Sequence, residues 1–268
     1  MNLSWLYKQD SIWIVAALLV GTALAGEVGC LLGRRWHPRT DEARLGHIRA
    51  ILGSVLGLLA LLLSFTFAMS ADRYNTRRQL VVRDANVLSG LYLQSDLLPD
   101  GPRQAFKQLL RQDVDLRAQI AFLHHDATGK ETAQAAAQSE RIHEQMWKVI
   151  KAAPESRWPL QADNMFKGLI DAMSIYRERI FSWESRVPDP VIWLLLFGAL
   201  IAMSSIGFFG GLGNHRGLPA RITVTLLLCG TIYVVLDLDK PHQGLMPVSQ
   251  SPMLHLKRIL ESDPETRP

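Results

Sequence analysis

Residues 50–71 read AILGSVLGLLALLLSFTFAMSA, a stretch of 22 residues without an ionisable side chain. A helix needs roughly 20 residues to cross the ~30 Å hydrocarbon core of a bilayer, because each residue adds about 1.5 Å. Backbone polar groups in lipid must bond within their own segment, so a stretch this long and apolar is a helix. It therefore predicts a membrane span, and it decides the fold class.

The rest of the chain is organised around this span. Three further stretches of the same character lie at residues 12–33, 191–212 and 219–238. They divide the chain into an N-terminal transmembrane pair (1–71), an extramembrane insert (72–188), a C-terminal transmembrane pair (189–238) and a turn with an amphipathic tail (239–268). Apolar residues in the insert recur at helical spacing, and no strand pattern is visible. We expect an all-α, polytopic membrane protein with four transmembrane helices and a helical bundle between helices two and three.

The distribution of charged residues along the sequence indicates what the protein contacts. The formal net charge is +4, and the excess of Lys and Arg lies at the membrane borders, which is typical of contact with lipid headgroups. Basic stripes with interleaved aromatic residues are missing from the sequence, so a nucleic acid partner is not expected. The lipid bilayer is the expected partner. The tail at residues 252–260 suits either a helix lying on the membrane surface or a cover for the bundle.

Two spans contain ladders of small residues. Gly21, Ala25, Gly29 and Gly33 recur every four positions in the first, and Gly53 and Gly57 begin a similar ladder in the second. Small residues let helix backbones approach closely, which is how membrane helices associate. The ladders predict packing of spans one and two within the chain, with an oligomer contact as the alternative.

Glu27 is an ionisable residue inside the first span. Such a group costs a few kcal/mol unless it meets water or a partner, so it is a candidate functional residue. Arg34 and Arg35 follow within about two turns, so pairing or snorkelling at the interface is the alternative.

Catalysis finds little support in the sequence. His124, His125 and Asp126 form a metal-like tract, but neighbouring side chains on a helix point about 100° apart and cannot both bind one ion unaided. We find no nucleophile elbow, HExxH motif, P-loop or CxxC pair. We therefore expect a protein that is not an enzyme, with neither a metal site nor a cofactor.

Several motifs carry a family resemblance. They are the pair Arg77-Arg78, the element Asp84-Ala85-Asn86, and the sequence Leu236-Asp237-Leu238-Asp239 with the turn Asp239-Lys240-Pro241-His242-Gln243-Gly244. With these motifs the chain resembles the bestrophin-like (DUF4239) family of bacterial integral membrane proteins. Family members more often carry Glu where this chain has Asp84.

The resemblance implies a plan like that of bestrophins, which are pentameric anion channels with second helices lining the pore. It would make the chain a homo-oligomer conducting small anions. Two neighbouring faces of the second span supply pore-lining candidates: Leu58, Leu61, Phe65 and Asp72 on one, and Thr66, Ser70, Arg73 and Arg77 on the other. A hydrophobic neck opening into an Arg-lined vestibule would suit anions. The alternative is that Leu58, Leu61 and Phe65 face lipid.

Two functions therefore stay open, an oligomeric anion channel and a non-conducting membrane scaffold or envelope sensor that acts through its bundle. Counts of positive charge disagree on sidedness, since short linkers favour one orientation and absolute numbers near the membrane ends favour the other. The resemblance favours a multi-pass protein of the bacterial inner (plasma) membrane, with the bundle and both termini cytoplasmic.

Overall fold

A computed structural model describes residues 11–36, 42–120, 130–152, 159–213, 218–240 and 245–264. These residues form eight α-helices and no strand: α1 (Ser11–Trp36), α2 (Glu42–Ser95), α3 (Asp100–Ile120), α4 (Lys130–Ala152), α5 (Pro159–Glu184), α6 (Asp189–Leu212), α7 (Leu218–Asp239) and α8 (Ser251–Ser262). The all-α prediction is confirmed. His124, His125 and Asp126 lie outside the described residues.

Four of these helices are long and apolar enough to cross a membrane, namely α1, α2, α6 and α7. This confirms the predicted set of spans. α2 is the longest at 54 residues, because no proline interrupts the sequence from the second span to Ser95.

The chain divides into two compact units. The first contains Met1–Arg73 and Arg186–Met246, and the second contains Tyr74–Ser185 and Pro247–Pro268. The first unit holds α1, α6, α7 and the apolar part of α2. The second holds α3, α4, α5, α8 and the remainder of α2.

Glycines determine how α1 packs in the first unit. A Cβ added at Gly29 would overlap the carbonyl oxygen of Ser204, and one at Gly207 would overlap that of Gly26. Gly33 and Gly211 make equally close approaches between the same two helices. The ladder of α1 therefore packs against α6, the third span, and the prediction that it packs against the second span is wrong for these glycines.

The second unit has a core of its own, formed by apolar side chains of its five helical segments. Phe106, Leu110 and Val114 of α3 are fully buried in this core, as Met146 of α4 and Leu169 of α5 are. α8 contributes three buried side chains, Met253, Leu256 and Leu260. Of the two roles considered for the tail, the structure therefore favours the cover for the bundle.

Candidate functional site

The apolar part of α2 makes little contact with its own unit. Only 11% of its apolar window is buried, compared with 28%, 33% and 44% for α1, α6 and α7. The buried residues Leu59, Thr66 and Ser70 form one narrow stripe, because they recur near multiples of the helical turn. Thr66 Oγ1 donates a hydrogen bond to Leu62 O at 2.7 Å within the helix. Thr66 and Ser70 thus face the interior of the unit.

Two other faces of this segment are open. The first is bulky and apolar, since Leu58, Leu61 and Phe65 are 60%, 52% and 63% exposed, and it ends at the exposed Asp72. The second is built of small residues. A Cβ at Gly53 or Gly57 would meet nothing within 4 Å. Of the predicted pore-lining residues in the first unit, the structure therefore leaves Leu58, Leu61, Phe65 and Asp72 accessible.

Asp239 binds Arg73, the last residue of α2 in the first unit. Its side chain is fully buried and accepts a hydrogen bond from Arg73 Nη1 at 3.2 Å. The same carboxylate accepts the backbone N–H of Val187 at 2.9 Å, just before α6 begins. The Asp239 side chain thereby connects the end of α7 with α2 and with the residue that precedes α6. It also binds Arg73, which the sequence predicted to line the pore.

The neighbouring Asp237 has a comparable role in the chain after α7. Its carboxylate accepts the backbone N–H groups of Leu245 at 3.0 Å and Met246 at 3.2 Å. Asp239 therefore satisfies a backbone donor of the buried Val187, which would otherwise be costly to bury, whereas Asp237 binds backbone donors of the exposed Leu245 and Met246. Pro241 and Gly244 of the same motif lie outside the described residues.

Arg77, in the second unit, is buried. Its guanidinium donates to the carbonyl oxygens of Ser182 at 3.2 Å and Ser185 at 2.8 Å. The side chain therefore binds the C-terminal end of α5, where carbonyl groups lack helical partners. Its family-motif neighbours Arg78 and Asn86 are exposed.

Glu27 forms an ion pair across two spans. Its Oε1 lies 3.1 Å from Nη1 of Arg221, near the start of α7. Arg221 is largely buried, whereas the Glu27 side chain remains 55% exposed. Pairing was the anticipated alternative, but the partner is Arg221 and not Arg34 or Arg35. Opposite charges inside two different spans were the signal that could have identified it.

Asp84 is the centre of a buried charge network in the second unit. Its two carboxylate oxygens bind Nη1 of Arg117 and, at 3.0 Å, Nη1 of Arg179. Arg117 also pairs with Asp113 at 2.7 Å, and His143 Nε2 lies 3.1 Å from Asp113. All of these side chains are at most 3% exposed, so α2, α3, α4 and α5 each contribute a charged or polar group to one buried site.

The network shifts the pKa values of its members. Burial alone would raise the pKa of the Asp113 carboxyl, but Arg117, His143 and Ser139 hold that pKa well below its usual range. Burial would lower the pKa of Arg117, yet the carboxylates of Asp113 and Asp84 raise it above its ordinary value. Both groups therefore remain charged at neutral pH. No group of His, Cys, Asp and Glu suited to a metal ion occurs among the residues that the structure describes.

Replacement of Asp84 by Ala should destabilise the bundle. It leaves two buried guanidinium groups without a shared counter-charge, which costs about 3 to 5 kcal/mol in the free energy of unfolding. The matched control is Asp163→Ala, which removes an exposed pair with Lys167 and should cost no more than about 0.5 kcal/mol. Denaturant unfolding of the purified protein measures both. Equal stability of the two variants would contradict the structural importance of Asp84.

Comparison with protein families gives one match. The model described as the bestrophin-like domain matches residues 20–253, which begin within α1, include α2, α6 and α7 in full and end within α8. Comparisons with curated proteins and with solved structures gave no match. The matched region contains the exposed segment of α2, the Asp239 contacts and the Asp84 network. The chain is a multi-pass membrane protein that belongs to the bestrophin-like family.

Proposed function

We propose that the protein is an oligomeric ion channel whose pore is lined by α2. The observation that carries the proposal is the low burial of α2, at 11% of its apolar window. A helix at the centre of a ring touches its own subunit on one side only. Its other sides face neighbouring copies and the pore, so they remain open in a single chain.

The open faces of α2 suit these two environments. The small-residue face with Gly53 and Gly57 has room for the backbone of another helix, since a Cβ atom added to either glycine would have no neighbour within 4 Å. The bulky face with Leu58, Leu61 and Phe65 would narrow a pore, and hydrophobic constrictions gate ion flow by losing their water. Lipid contact alone explains the bulky face but gives no role to the glycines.

The pore lining that we propose is shorter than the one that the sequence suggested. Thr66 and Ser70 are buried within the subunit, Arg73 pairs with Asp239, and Arg77 binds carbonyl groups of α5. Arg73 and Arg77 were the predicted lining of the vestibule that would suit the anions implied by the family resemblance. The proposed lining is therefore Leu58, Leu61, Phe65 and Asp72.

A second candidate function is a membrane scaffold or sensor that recruits a partner through its bundle. One observation favours it: the second unit has an open groove of about 420 Å³ between α2 and α5. Its walls combine the exposed Phe181 with Arg83 and Glu178. A mixed apolar and charged groove is compatible with a protein segment as partner, and this function requires neither a ring of subunits nor ion flux.

Reconstitution of the purified protein into liposomes tests the channel directly. We expect a ring of several subunits and ion flux that increases in Leu61→Asn, because a polar side chain keeps the neck wet. The matched control is Leu227→Asn, which changes a comparably exposed leucine of α7 and should leave flux unchanged. A dimer without a central opening, or wild-type protein without flux, would contradict the channel and favour the scaffold.

The small-residue face of α2 predicts a separate effect on assembly. Gly57→Leu should leave the protomer folded, because the position is open, but should lower the number of subunits in native-lipid particles. Gly230→Leu is the control. A Cβ atom at Gly230 of α7 would likewise meet nothing within 4 Å, but α7 is not part of the proposed subunit contact. If both variants assemble like the wild type, α2 does not form the subunit contact through this face.

We further propose a location in the bacterial inner membrane with the bundle and both termini in the cytoplasm. Cys30 and Cys229 are both buried, so they give little background in thiol labelling. A cysteine at the exposed position Ser174 in the second unit should react with an impermeant maleimide only after the cells are permeabilised. Reaction on intact cells would place the bundle outside.

A further inference from the structure

The charges of the apolar α2 segment are few. Between Ala50 and Arg73 the sequence contains two ionisable side chains, Asp72 and Arg73. Adjacent residues on a helix point about 100° apart, so these two charges face different surroundings. The ion preference of a pore lined by this segment therefore depends on which of the two is free.

Arg73 is already neutralised. Its guanidinium lies 3.2 Å from Asp239, whose carboxylate is fully buried and also binds the backbone N–H of Val187. The electrostatic potentials of opposite charges this close largely cancel at the distance of a passing ion. Loss of the Arg73 partner would also leave a buried, uncompensated carboxylate, which is destabilising. Arg73 is therefore a bound structural cation.

Asp72 differs in each of these respects. It is exposed, and no described residue forms an ion pair or a hydrogen bond with it. It follows Phe65 by two helical turns, about 10 Å along α2, on the same bulky face. Of the two ionisable side chains between Ala50 and Arg73, Asp72 is thus the one without a described partner.

Arg78 and Arg83 are exposed residues of α2 as well, but they belong to the second unit. At physiological ionic strength the potential of a charge decays over about 8 Å, so a charge acts mainly on its immediate surroundings. Between Ala50 and Arg73, Asp72 is therefore the charge that a pore lined by this segment would present.

We infer that the channel prefers cations and that Asp72 determines this preference. The inference rests on the proposed function, in which several copies of α2 surround one pore. Each copy contributes one Asp72, so the pore mouth carries a ring of carboxylates. Rings of Asp or Glu favour cations at a pore entrance, because they raise the local cation concentration and oppose anions.

Reversal potentials of the full-length protein in planar bilayers under a KCl gradient test this inference. The wild type should reverse toward the potassium equilibrium potential. Asp72→Asn should lower the permeability ratio of K⁺ to Cl⁻ by about fivefold, which is the effect of about 1 kcal/mol, and Asp72→Lys should shift the reversal toward the chloride potential. Arg78→Gln is the control, since it removes an exposed charge from another face and should change the ratio little.

The outcomes separate the inference from the proposal beneath it. A chloride-selective wild type, or a cation preference that persists in both Asp72 variants, overturns the role of Asp72 and leaves the channel intact. An absence of current from correctly folded wild-type protein overturns the channel and, with it, the inference. Elution of each variant as the wild-type oligomer on size-exclusion chromatography establishes that it is folded.

Discussion

The membrane unit depends on the burial of one carboxylate. Asp239 is excluded from solvent, and an ion in such a place is stable only when its lone pairs are satisfied. Arg73 and the backbone N–H of Val187 satisfy them, so three chain segments that are distant in sequence must meet at this point. The requirement explains why an acidic residue ends the fourth span, where hydropathy alone would predict only a helix end in water.

A second constraint, the close packing of glycines, determines which transmembrane helix keeps an open surface. α1 and α6 approach so closely at Gly29 and Gly207 that no Cβ fits between them, and α7 also packs on α1. These three helices satisfy one another through close packing, as membrane helices must in the absence of a hydrophobic driving force. α2 contributes only a narrow stripe to this arrangement. Its remaining surface is therefore available for contacts beyond the chain.

Much of the fold could be predicted because hydropathy and helical spacing are local properties. The four spans, the long α2 and the helical insert all follow from them. The partners could not be predicted, because Asp84 and Arg117, or Glu27 and Arg221, meet only after the chain folds. One signal was nevertheless present: Asp113 and Arg117 continue the buried stripe of Phe106 and Leu110 on α3. Charged residues at core positions of an amphipathic helix indicate a buried network.

The same distinction applies at the membrane border, where neighbouring residues have opposite roles. In the proposed channel, the hydrophobic neck of Leu58, Leu61 and Phe65 would resist every ion, whatever its sign, because all ions lose hydration there. The sign of the ion that this proposed channel conducts would then follow from a nearby charge that lacks an internal partner. Read from the sequence, Arg73 is as good a candidate as Asp72. Asp239 decides between them, because it binds the arginine and leaves the aspartate on the open face.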